Sequence, residues 1–160
     1  MRRLPHLIAA LILPMVLAAG GPASAASNCA SAADQSVYEV LALRTQMILL
    51  ATKCGRDSDY NNNFIRRFQS GLQANDAAVT NYFRRNYGGG GQGRKDTFTT
   101  DLVNLMSQKA NGQGAEFCPR AGLIVNEMNA LRTMEELIAY AGVKDFAPAG
   151  TSMCPAGGRR

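Results

Sequence analysis

The sequence predicts an all-α fold, a small disulfide-stapled helical bundle of about five helices, and three observations carry that prediction. Apolar residues recur at helical spacing through most of the chain. No stretch of useful strand length alternates apolar and polar residues, and no internal repeat is visible. Four cysteines, an even number, follow a leader of the kind that directs export.

The leader has three zones. Arg2 and Arg3 give a positive start, Leu7 to Ala19 is an apolar run interrupted by Pro14, and Ala23-Ser24-Ala25 supplies the small residues a signal peptidase inspects. The apolar run is shorter than the ~20 residues a spanning helix needs. The expected organisation is therefore a cleaved signal peptide at 1–25, a helical domain at 26–142 and an irregular tail at 143–160 tied down through Cys154. A lipid-modified Cys29 fits less well, because Asn28 stands where a small residue belongs. Removing 25 of the 160 residues leaves 135, one domain's length. It also removes the sole histidine, His6, and with it Ser-His-Asp and Cys-His catalysis and histidine-based metal sites.

The helices are placed by their caps. Ser36-Val37-Tyr38-Glu39 reads as a capping box, and Gly55 as the residue that ends the helix, giving a first helix at about 35–54. A second carries Phe64, Ile65, Phe68 and Leu72 behind Asn61-Asn62-Asn63. A third begins near Asp76, presents Val79, Phe83 and Tyr87 on one face, and stops at Gly88. The run from Gly88 to Gly93 has too many glycines to hold regular structure and is expected to be a flexible loop. A fourth helix starts near Asp96 and ends around Asn111-Gly112, and a fifth runs from Pro119 to Gly142. Methionines 47, 106, 128 and 134 sit at core spacing as gap-fillers.

Two disulfides are expected among Cys29, Cys54, Cys118 and Cys154. An unbroken first helix holds Cys29 and Cys54 on the order of 30 Å apart, too far to pair. In an up-and-down bundle the fifth helix starts where the first began, which favours Cys29–Cys118 with Cys54–Cys154. Short middle helices packed crosswise give Cys54–Cys118 with Cys29–Cys154 instead.

Three segments have residues capable of chemistry. Asp57, Asp59 and Asn61 place oxygens at alternate positions like the opening of a calcium loop, but Asn62 and Phe68 occupy the positions that need glycine and glutamate. Helix capping explains the cluster without a metal, so no metal and no cofactor are expected. Arg66, Arg67, Arg84, Arg85, Arg94 and Lys95 concentrate positive charge between residues 60 and 95, where the one acid is Asp76 and where six of the eleven aromatics fall. Such a face attracts anionic lipid or polysaccharide, and export makes nucleic acid the least suitable anion. Solvated arginines outside a core of aromatics produce the same pattern. Lastly, Glu127 falls near the apolar stripe of the fifth helix, where burial would raise its pKa, and Glu116 is a second acid candidate.

These readings define a periplasmic or secreted helical module, not an enzyme, that binds an anionic envelope component or another exported protein through a basic face, with no transmembrane anchor after cleavage. Two alternatives accompany it. One is a carboxylate-dependent hydrolase of cell-wall or extracellular polymer; the other is a carrier of a small apolar ligand in a Met- and Phe-lined pocket inside the bundle.

Overall fold

The computed structural model describes residues 30–147; the expected signal peptide, Cys29 and residues 148–160 with Cys154 lie outside the described residues. Its elements are α1 (Ala32–Cys54), a π-helical turn (Asp59–Ile65), α2 (Gln69–Tyr87), α3 (Gly91–Gln113), α4 (Phe117–Ala130) and α5 (Met134–Lys144). Single 3-10 turns at Gly88–Gly90 and Gly114–Glu116 join α2 to α3 and α3 to α4. The fold is all-α, with no strand among the described residues. No described helix is long and apolar enough to cross a membrane.

The division into helices differs from the expected one, and each difference has a local cause. α1 starts earlier because the capping box forms at Ser31 and Asp34, whose side chains each satisfy the other's backbone N–H. Ser36 lies inside the helix and donates to the Ala32 carbonyl. Gly55 ends α1 as expected, at φ 63° in the left-handed region. The expected second and third helices are largely one, since α2 runs unbroken from Gln69 past Asp76 to Tyr87. The expected fifth helix is two, because Thr133 and Glu136 form a second capping box that starts α5.

The glycine run is helical, not a flexible loop. Gly88, at φ 55°, makes the turn out of α2. Gly91 serves a different need, because a Cβ there would lie 2.7 Å from the Phe83 carbonyl oxygen and 3.0 Å from the Arg84 Cα. Its missing side chain lets α3 begin hard against the backbone of α2. Gly89 has nothing within 4 Å of its Cβ position. Gly91→Ala should therefore destabilise by about 1–3 kcal/mol through overpacking. Gly89→Ala should stabilise by about 0.4–1 kcal/mol by restricting the unfolded chain. Paired urea unfolding curves check the opposite signs.

α1 is the axis of the bundle and touches α2, α3, α4 and α5. α2 runs antiparallel to it: Asp34 pairs with Arg85 at 2.8 Å, Val37 O accepts from Asn75 at 3.2 Å, and Arg44 pairs with Asp76 at 2.7 Å. α3 returns parallel to α1, so that Lys53 near the end of α1 reaches Asn111 near the end of α3 at 2.7 Å. α5 runs back along α1 until the Ala147 N–H donates to the Glu39 carboxylate at 2.9 Å. The main core gathers Leu43, Met47 and Leu50 of α1 with Phe64, Leu102, Met128 and Leu137, all fully or nearly fully buried. A second cluster of Tyr38, Val79, Tyr82 and Phe83 fills the end where α1 begins.

Cys54 is joined to Cys118, with Cα atoms 5.6 Å apart. This overturns the favoured pairing of Cys29 with Cys118 and Cys54 with Cys154. The reason is one of parity. With the middle of the chain making one traverse instead of two, α3 ends beside the end of α1, and α4 carries Cys118 to Cys54 rather than to the opposite end.

Candidate functional site

The six basic residues do not form one face. Arg66 and Arg67 lie between the π turn and α2, whereas Arg84 and Arg85 lie in the last turn of α2 and Arg94 and Lys95 in the first turns of α3. At 1.5 Å per residue the two groups sit roughly 25 Å apart along α2. Arg67 donates to the Asn129 carbonyl at 3.2 Å and covers the Phe68 ring. That contact ties the π turn to the end of α4, a structural role.

The other four converge on the α2–α3 joint. Helix α2 ends at Gly88, and α3 starts three residues later against Phe83, so the last turn of one helix and the first of the next lie side by side. Arg85 is committed to Asp34 at 2.8 Å and lies over the Tyr82 ring. Burial pushes the Tyr82 hydroxyl up to about 12 and raises that of Tyr38 further, so both rings are neutral apolar support at physiological pH. Arg84 donates to Asn81 at 3.0 Å, and Lys95 to Thr80 at 3.3 Å. Arg94 stacks over Tyr87, 5.6 Å from its centroid, and Tyr87 in turn stacks on Phe83. Arg84, Arg94 and Lys95 take part in no ion pair among the described residues. Tyr87 remains 38% exposed.

The joint opens onto a groove of about 530 Å3 between α1, α2 and α3. Lys95 and Asp96 stand at its mouth, and Leu41, Ile48, Val79 and Val103 supply its apolar surface. The hydroxyls of Thr45, Thr80 and Thr99 already donate to carbonyls one turn back in their own helices. They retain acceptor capacity towards the groove.

The acidic candidates are placed otherwise than expected. Glu127 is exposed, not buried among apolar residues. Hydrogen bonds from Lys144 at 2.8 Å and Tyr140 at 2.7 Å hold its carboxyl below the ordinary glutamate range, opposite to the expected rise. A carboxyl so held is ionised at neutral pH and ill suited to donate a proton. Glu116 is exposed on the turn before α4. Of the calcium candidates, Asp59 accepts from Arg56 and, at 3.0 Å, from Asn63, which commits its oxygens within the π turn. No group of three or more His, Cys, Asp or Glu residues gathers among the described residues.

Two features escaped the sequence reading. Arg94 meets Tyr87 across the glycine joint, which a flexible loop would not arrange. Glu39 is buried at 3% exposure, where it accepts from Gln35 at 2.9 Å and from the Ala147 N–H, so it holds the chain leaving α5 against α1. A single glutamate within an apolar helix face carried a signal of this kind, but its partner lies 108 residues away.

No family model matches the chain, and neither a curated protein nor a solved structure matches it.

Proposed function

We propose that the protein is an exported, non-catalytic binding module that attaches to an anionic component of the cell envelope through the α2–α3 joint. The observation that carries this reading is the convergence of Arg84, Arg94 and Lys95 on the joint, none of them in an ion pair among the described residues, with Arg94 over an exposed Tyr87. Arginine forks match phosphate oxygens two at a time, and an aromatic ring beside them suits the boundary between headgroup and apolar phase. Export is supported by the bridge between Cys54 and Cys118, since disulfides persist in oxidising compartments. The Arg66–Arg67 end contributes little to binding, because Arg67 is engaged with α4.

Cosedimentation with vesicles of neutral lipid, with and without anionic phospholipid, tests the reading. Binding should require the anionic lipid and fall as salt is raised, since screening shortens to a few ångströms near 1 M. The double substitution R84Q/R94Q should weaken it about 30-fold, on roughly 1 kcal/mol for each basic residue at a charged surface. R66Q/R67Q should leave it within about twofold. Equal binding by the R84Q/R94Q variant would remove the proposal.

A further inference from the structure

On the side of the molecule where α3, α4 and the end of α5 meet α1, a cavity of about 260 Å3 opens to solvent. Its floor is apolar and buried, made by Met106, Ala110, Phe117 and Ala121. Ile124 and Phe146, both half-buried, form its walls. Around the mouth stand Gln46, Lys109, Gln113 and Arg120. None of these four makes a side-chain hydrogen bond or ion pair with a described residue, although each carries several donors. The remaining rim groups are Lys144, already paired with Glu127, and Asp145.

The wall at Phe146 is held in place. Asp145 takes the left-handed conformation, φ 51°, the one non-glycine residue to do so among the described residues. Its turn swings the chain off α5, and Glu39 then fixes Ala147. A residue in a sparsely populated conformation persists where its surroundings over-determine it, and here the turn shapes a cavity wall. Filled apolar packing surrounds the site: the main core has residues at 0% exposure on α1, α4 and α5. The opening is therefore a local feature between helix ends, not an unfilled interior.

From an apolar floor beneath two cations and two amides that have no side-chain partner among the described residues, we infer that this cavity binds a short anionic amphiphile, a single alkyl chain bearing one carboxylate or sulfate-like head. The chain lies against Met106, Phe117, Ile124 and Phe146, and the head is held at the mouth by Lys109 and Arg120. At the ~30 Å3 that one water-sized group occupies, the space takes roughly eight methylene-sized groups, the size of octanoate. The site is separate from the α2–α3 joint and stands or falls independently of it.

Octanoate titrated into the full-length exported protein, followed by calorimetry and by methyl and aromatic NMR shifts, tests the inference. Octanoate should bind and shift Met106, Phe117 and Phe146, while acetate (head without chain) and octanol (chain without head) should each bind at least about 10-fold more weakly. K109Q/R120Q should weaken octanoate by about 10-fold or more, through loss of charge-assisted hydrogen bonds, with helicity and melting temperature unchanged because both side chains are exposed and have no partner among the described residues. R84Q/R94Q should leave octanoate binding intact, which separates this site from the vesicle-binding one. Vesicles of anionic phospholipid should compete with octanoate only if a membrane lipid's chain and head can also enter; either result of that arm identifies the source of the ligand. Absence of octanoate binding at millimolar concentration, equal binding of acetate, or an unchanged affinity in K109Q/R120Q would overturn the inference.

Discussion

Replacing Cys54 and Cys118 together by serine lowers the stability of the protein by about 4 kcal/mol. The two residues are 64 apart in sequence, and a cross-link of that length removes loop-closure freedom worth about that much from the unfolded chain. Nothing else joins the same points covalently among the described residues. Lys53 reaches Asn111 beside the bridge, but that is one exposed hydrogen bond worth on the order of 1 kcal/mol. The loss should appear as a fall of roughly 10–20 °C in the melting temperature, with helical circular dichroism retained below the transition. A shift of less than a few degrees would mean that the chain ends of α1 and α4 are already held together without the bond.

The second large effect is expected at Phe64. Its side chain is fully buried in the main core, with ring centroids of Tyr60 and Phe68 each 6.2 Å away. It lies in the π turn, which carries the chain from the end of α1 over the core before α2 sets out. Asn62 donates to Ser58 and Asn63 to Asp59, one turn back in each case, so the polar edge of that turn is fastened by side chains. Phe64→Ala should cost about 3–5 kcal/mol, from lost burial together with the cavity left behind. Phe64→Leu should cost less than about 1.5 kcal/mol, because most of the volume is kept. Chemical unfolding of both variants checks the ratio, and equal losses would place the energy in the ring contacts rather than in the filling of the core.

Helix content and several helix ends were legible because they depend on neighbours in sequence. Gly55 stops α1 in the left-handed region and Gly88 stops α2 at a positive φ, and in α1 Val40, Met47 and Ala51 are buried at helical spacing whereas Ile48 is exposed. The start of α5 was also available, since Thr133-Met134-Glu135-Glu136 has the capping-box pattern. The apolar spacing continuing through residues 123–138 hid it by suggesting one helix. The glycine run misled for a different reason: composition signals freedom, but Gly91 is there for close backbone approach, a tertiary need that composition does not report.

The site was legible only in part. The basic residues were visible as a group, yet their separation into two ends depends on α2 being one unbroken helix. Glu39, whose partner is the backbone of Ala147, and the cavity rimmed by Lys109 and Arg120 arise from segments far apart in sequence. No local pattern encodes such meetings. The error in cysteine pairing had the same root, because one miscounted traverse of the bundle sends every later element to the wrong end.

The arrangement of the whole bundle, with α3 ending beside the end of α1 and α4 starting there, is tested most directly by peptide mapping of the unreduced protein. The expected result is a cross-linked peptide pair containing Cys54 and Cys118. A map that joins Cys54 to Cys154, or Cys118 to Cys29, would contradict it.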